Sequence, residues 1–156
     1  MLTALIGVAA TLLGSFTTYL FQSRTAARAE LFARGERMRE EQLRACSAFA
    51  AGLTALKRGV VTLWFRGKEN PAGAGYRASL AETDRLGAEA EAARIRVQLL
   101  FDDPELMQRA DRAFAAIGGV RDAADRDALR EAEIGFDTAV KEFVAAAAAR
   151  LRPVTR

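Results

Sequence analysis

The chain is 156 residues long, room for one globular domain and not two. Its 23 Lys and Arg against 20 Asp and Glu leave a formal charge of +3, and 51 % hydrophobic with 28 % charged residues is neither a disordered composition nor a polytopic membrane one. With no His and a single Cys, Ser-His-Asp and Cys-His nucleophilic sites, zinc fingers, His-bearing zinc sites and any intramolecular disulfide framework are excluded.

No remaining pattern spells a reaction, so the chain is expected not to be an enzyme and to need no cofactor or metal. Dense Ala, Leu, Arg and Glu with only three Pro favours helix throughout, and no strand pattern of useful length is present. Arg outnumbers Lys 20 to 3, the signature of GC-rich coding.

Residues 1–23, MLTALIGVAATLLGSFTTYLFQS, carry no charged side chain. As a helix this run is long enough to cross a hydrocarbon core of about 30 Å. Tyr19 and Phe21 stand near its end, where amphipathic rings suit the lipid–water boundary. A cleavable signal peptide needs basic residues before its apolar stretch and a small-residue cleavage site, and neither is present. A buried core helix would be shorter. The expectation is therefore a single-pass transmembrane anchor over 1–23. Basic residues follow the run and none precedes it, so the N-terminus is expected outside and the body cytoplasmic, at the inner membrane. A lone reduced Cys46 is compatible with that compartment.

Small residues recur four apart along the anchor, including Gly7 with Thr11 and Ala10 with Gly14. Such spacing lets helix backbones approach closely in lipid, so Gly7, Ala10 and Gly14 are the candidate self-association face. Ala- and Gly-rich coding fills any span with the same residues, and the sequence leaves both readings open.

Residues 24–38 read as a basic juxtamembrane stalk, in which Gly35 could bend the helix. Arg24, Arg28 and Arg34 are the candidate contacts to anionic headgroups. From Arg24 to Arg44 six Arg face four Glu. A DNA-tracking helix would keep its basic face clear of acids, so direct nucleic-acid binding is not expected. Glu40 and Arg44 are spaced for an i,i+4 ion pair.

Residues 39–152 are predicted to form a helical bundle, followed by a tail over 153–156. In the first helix, Leu43, Cys46, Phe49 or Ala50, Leu53, Leu56, Val60 and Leu63 or Trp64 recur at steps of three or four, one inward stripe. Residues 67–75, GKENPAGAG, read as the clearest loop; its Lys lacks the GxxxxGK[ST] order that cradles phosphate. The second helix is expected over 76–100, with Tyr76, Leu80, Thr83, Leu86, Ala90, Ala93, Val97 and Leu100 inward and Gly87 marking a close crossing.

Asp102-Asp103-Pro104-Glu105 reads as an N-cap with Pro at the first helical position, in preference to a paired-carboxylate metal or acid/base site. The third helix is expected over 104–117, ended by Gly118-Gly119. After a link over 120–126, with Asp122 or Asp125 able to cap, the fourth runs over 125–151 on Leu129, Ala132, Phe136, Val140, Phe143, Ala147 and Leu151. Short links make neighbours antiparallel. The fold class is thus all-α: one transmembrane helix continuing into a long stalk helix and an antiparallel bundle of three to four helices.

Glu89 and Glu91, like Glu131 and Glu133, fall on different helix faces and read as solvated surface. Cys46 on the apolar stripe reads as a small buried hydrophobe, and Trp64 with Phe65 as a core lid or an exposed contact patch.

Three strings, LTALIGVAATLLGSFTTYLFQSRTAARAE, FARGERMREEQLRACSAFA and RVQLLFDDPEL, taken in this order and spacing, resemble the KilB family of Streptomyces and related actinobacteria. The resemblance runs from the anchor to the DDPEL cap, about two thirds of the chain. It implies a membrane-associated accessory of conjugative plasmid spread, toxic without its regulators, with no catalytic residues to carry over. The expected partners are the membrane, further copies of the chain and other membrane or septal proteins. The alternative is a membrane-tethered DNA- or regulator-binding module. A pore-forming toxin is disfavoured, because the anchor has no charged or strongly polar stripe to line a pore.

Overall fold

A computed structural model describes the backbone of residues 2–152 and the side chains of Glu30 and of residues 33–152. Every described element is an α-helix: α1 (Leu2–Glu69), α2 (Ala74–Leu100), α3 (Pro104–Arg121) and α4 (Arg126–Leu151). By contacts the chain divides into two compact units, Met1–Glu40 and Glu41–Arg156.

In the first unit the described side chains are mostly exposed, and two ion pairs run along the helix, Arg34 to Glu30 and Arg39 to Glu36. Gly35 stays helical without a positive φ. The expected anchor over 1–23 lies outside the residues whose side chains are described. Among the described residues no helix is long and apolar enough to cross a membrane.

The second unit is a four-helix bundle in which sequential neighbours are antiparallel. Against α2, Gly52 meets Ala90 and Gly59 meets Thr83 and Leu86, so α2 runs down as α1 runs up. Against α4, Phe49 packs on Phe143 and Lys57 pairs with Asp137, again in opposite sense. Arg94 of α2 reaches Asp111 of α3. Arg150 near the end of α4 reaches Asp103 and Glu105 at the start of α3, while Gly119 faces Ala132.

The core is unequally supplied. α1 and α4 bring the bulky groups Phe49, Leu53, Leu56, Val60, Phe136 and Phe143, whereas α2 buries only Thr83, Ala90, Ala93 and Val97. Phe49 and Phe143 meet edge-to-face, their centroids 5.1 Å apart at 86°, a geometry that adds to area burial through the ring quadrupoles. Small groups on α2 let it approach α1 at two glycines. A Cβ added at Gly52 would stand 3.3 Å from the Ala90 Cα, and one at Gly59 2.9 Å from the Leu86 Cδ1. The close crossing expected at Gly87 therefore sits elsewhere; a Cβ there would find only Leu56 Cδ1, at 3.9 Å.

Local chemistry sets the helix ends. α1 runs through Gly67 to Glu69, so the expected nine-residue loop shrinks to 70–73, where the Asn70 side chain accepts from the Ala72 N–H. No glycine described has a positive φ, and without one Gly67 had no reason to break the helix. The same holds for Gly118-Gly119, through which α3 continues to Arg121. Val120, placed by sequence in a link, is thereby fully buried.

Asp103 caps α3 by accepting from the Leu106 N–H at 2.9 Å, with Pro104 at the first position. Asp125, not Asp122, caps α4 by accepting from the Asp127 and Ala128 N–H groups. Gln42 of α1 donates its amide to the Leu100 carbonyl, closing the C-terminus of α2 from the neighbouring helix. Leu43 and Leu80, expected inward, are 54 % and 39 % exposed.

Candidate functional site

The sequence offers six site residues, and the structure treats them unequally. Gly7, Ala10, Gly14, Arg24 and Arg28 fall on α1 among residues whose side chains are not described. Arg34 is described: its guanidinium donates to Glu30 one turn earlier, and both side chains are about two-thirds exposed. An exposed pair of this kind is weak and can be exchanged for another anion.

The groups that could have carried chemistry are engaged in structure. Cys46 is buried on the inward face of α1, and burial pushes its thiol up to about 11, away from the thiolate a nucleophile needs. Glu89 is held by Arg85, which also holds Glu82. Glu91 is held by Arg94, which also reaches Asp111 at 2.5 Å. Asp102-Asp103 is a cap and not a paired-carboxylate site. The Asp103 carboxylate takes the Arg150 guanidinium at 2.5 Å on one oxygen while the other accepts from the Leu106 N–H.

The electrostatics follow from these contacts. Arg150 and then the Leu106 N–H hold Asp103 below the usual carboxylate range. Arg109 and Arg150 do the same for Glu105, Arg85 for Glu82, Arg94 for Glu91 and Arg121 for Asp122. Each of these shifts is downward, which keeps the acid ionised; a general acid would need the opposite. Among the described residues no group of three or more acids or thiols is placed to hold a metal.

Two concave surfaces of the second unit have a mainly apolar lining. An apolar groove of about 180 Å³ lies between α1 and α4, lined by Leu43, Cys46, Ala50, Phe143, Val144, Ala147 and Leu151 among others. A larger cleft of about 400 Å³ lies where the end of α1, the start of α2 and the end of α3 meet. Val60, Leu63, Trp64, Tyr76 and Leu80 form its apolar lining, and Lys68, Arg121 and Asp122 its charged one. The Trp64 indole N–H donates to the Ala123 carbonyl at 2.7 Å, which orients the ring.

Neither surface was legible as a site. Both draw on residues far apart in sequence that also belong to the core stripes, and only the turn-by-turn phase of each helix tells lining from core. The same is true of the exposed Leu99 and Ile134, 79 % and 68 % exposed.

No curated protein and no solved structure matches the chain. The family model of the KilB plasmid transfer protein matches residues 43–151. That span takes in the RVQLLFDDPEL junction and runs on through α4; of the strings that carry the resemblance, the first lies before it and the second enters it only at Leu43. The matched span is the bundle itself, from its first turns on α1 to the last residue of α4, and on that match the chain belongs to the KilB plasmid transfer protein family.

Proposed function

We propose that the chain is a non-enzymatic, membrane-anchored interaction protein that serves plasmid spread by binding other proteins. In this reading residues 1–23 cross the inner membrane once, with the N-terminus outside, and hold the bundle at the cytoplasmic face. Arg24, Arg28 and Arg34 contact anionic headgroups, and Gly7, Ala10 and Gly14 bring two anchors together. The bundle presents its exposed apolar residues to membrane or septal partners.

The observation that carries the reading is a conjunction. The plasmid-transfer family match covers the bundle alone, and the uncharged run over 1–23 precedes it. The state of the bundle's side chains supports a binding role, because Asp103 and Glu105 are held by Arg partners and the thiol is buried. The same pairing disfavours a DNA- or regulator-binding module: Arg34 on the stalk and Arg39 just after it already hold Glu30 and Glu36, so the basic groups do not form an acid-free face.

Membrane fractionation with a carbonate wash tests the anchor, on full-length chain tagged at its C-terminus and weighed intact. Full mass in the washed pellet is expected. A soluble species lacking about twenty N-terminal residues would remove the cytoplasmic placement and the headgroup contact together. Replacing Gly7 and Gly14 with Ile is expected to weaken self-association in a membrane two-hybrid assay, and an unchanged signal would remove that face. A gel shift at low salt addresses the alternative, since counterion-driven DNA binding is strongest there.

A further inference from the structure

The cleft at the closed end of the bundle combines features that the core does not need. Its floor is apolar and aromatic, formed by Val60, Leu63, Trp64, Tyr76 and Leu80, and Leu80 remains 39 % exposed there. Its rim carries two cations. Lys68 lies 5.2 Å over the Trp64 ring and donates to the Ala124 carbonyl at 3.0 Å. An ammonium has three donors, so that bond leaves two, and no carboxylate holds Lys68 among the described residues. Arg121, which also lines the cleft, gives Nε and Nη2 to Asp122, at 2.9 and 3.5 Å, and has further N–H donors beyond those two. Two cations against one carboxylate make the rim net positive. At about 400 Å³ the space falls in the range of small-molecule sites, which are mostly apolar with a few placed polar groups.

We propose that this cleft binds a small amphiphilic anion, an apolar chain or ring bearing a single carboxylate, with the apolar part against Trp64, Tyr76 and Leu80 and the carboxylate at Lys68 and Arg121. The charge balance selects the sign of the headgroup, and a cleft of about 400 Å³ selects a short chain over a full bilayer lipid. The proposal does not depend on how the chain meets the membrane.

The chain has one Trp, so 5-fluorotryptophan labelling gives a single fluorine resonance that reports on this cleft. Full-length protein in nanodiscs would be titrated with octanoate and, separately, with octylammonium. A saturable shift with octanoate and none with octylammonium is expected. Lys68→Met should weaken octanoate binding about tenfold, since a hydrogen bond to a charged group is lost, and Lys68→Arg should restore most of it. Urea unfolding of Lys68→Met without ligand shows whether the bundle is intact, which separates lost binding from lost fold. An equal response to both amphiphiles would mean partition into an apolar surface and overturn the proposal. So would the absence of any saturable shift, or a Lys68→Met variant that binds as the parent does.

Discussion

Replacing Gly135 with Ala isolates one term of the bundle's stability. Gly135 lies in the interior of α4, nine positions after Arg126, and its φ is not positive. A Cβ built there finds nothing within 4 Å. The substitution therefore gains the full helix propensity of Ala over Gly, about 1 kcal/mol, with no steric term against it. Gly52→Ala gains the same propensity but places its Cβ 3.3 Å from the Ala90 Cα, a backbone atom that moves only if α2 moves. Overpacking of this kind costs on the order of 1–3 kcal/mol. Gly135→Ala should thus exceed the parent by about 1 kcal/mol, and Gly52→Ala should fall at or below it. Urea unfolding of the full chain followed by Trp64 emission measures both, since Trp64 sits within the bundle. Equal gains from the two substitutions would refute the close approach of α1 and α2. No gain at Gly135 would refute the propensity argument.

Other residues give sharper single effects. Phe49→Ala deletes a fully buried ring that meets Phe143 edge-to-face, and the same urea assay should show a loss of about 3–5 kcal/mol. Cys46, with its thiol pushed up to about 11, should react with Ellman's reagent at pH 7 roughly 10²–10³ times more slowly in the folded chain than in urea, where an ordinary thiol pKa near 8.5 returns; similar rates would contradict its burial. Folded-state depression of Asp103, Glu105, Glu82, Glu91 and Asp122 contributes stability that is complete above the unfolded carboxylate values, about 4, and is lost as pH falls through the lower folded ones. Urea midpoints should therefore hold from pH 7 to about 5 and decline below about 4. Arg150→Gln should flatten that decline, because Arg150 is the first cause of the Asp103 shift and the second of the Glu105 shift.

The all-α class and four of the bundle's features were legible because they rest on local rules. The α3 cap, the Pro at its first position, the period of the core stripes and a bundle of three to four helices each follow from local sequence. Helix ends were less legible where glycine was read as punctuation. Gly67, Gly118 and Gly119 all sit inside helices, because a glycine ends a helix by adopting a positive φ and sequence alone does not say whether it does. The outward turn of Leu43 and Leu80 has a different origin. Each fits the helical period, but each stands near the end of the interface its helix shares, where a residue in phase with the stripe has no helix left to cover it. The two concave surfaces form at those same ends, and for the same reason they were invisible: a cleft is the absence of a neighbour, and periodicity records only phase.

The interfaces of the bundle also differ in what holds them, and acid should take them apart in order. Between α3 and α4, Arg150 ties Asp103 and Glu105 across the helix ends. Between α2 and α3, Arg94 ties Asp111, and between α1 and α4, Lys57 ties Asp137. Where Gly52 and Gly59 meet α2 the contacts are Ala90, Thr83 and Leu86, and none of these titrates. Protonating Asp103 and Glu105 should weaken the first contact and leave the last untouched. The start of α3 is most exposed to this, because Asp103 is both its cap and the anchor for Arg150. Native-state hydrogen exchange at successively lower pH, corrected for intrinsic rates, reads the order directly. The Leu106 amide, which donates to Asp103, should lose protection first, while amides around Gly52 and Ala90 hold theirs until the whole bundle opens. Loss of protection at Ala90 before Leu106 would show that packing at the two glycines, and not charge at the α3 cap, is the weaker joint.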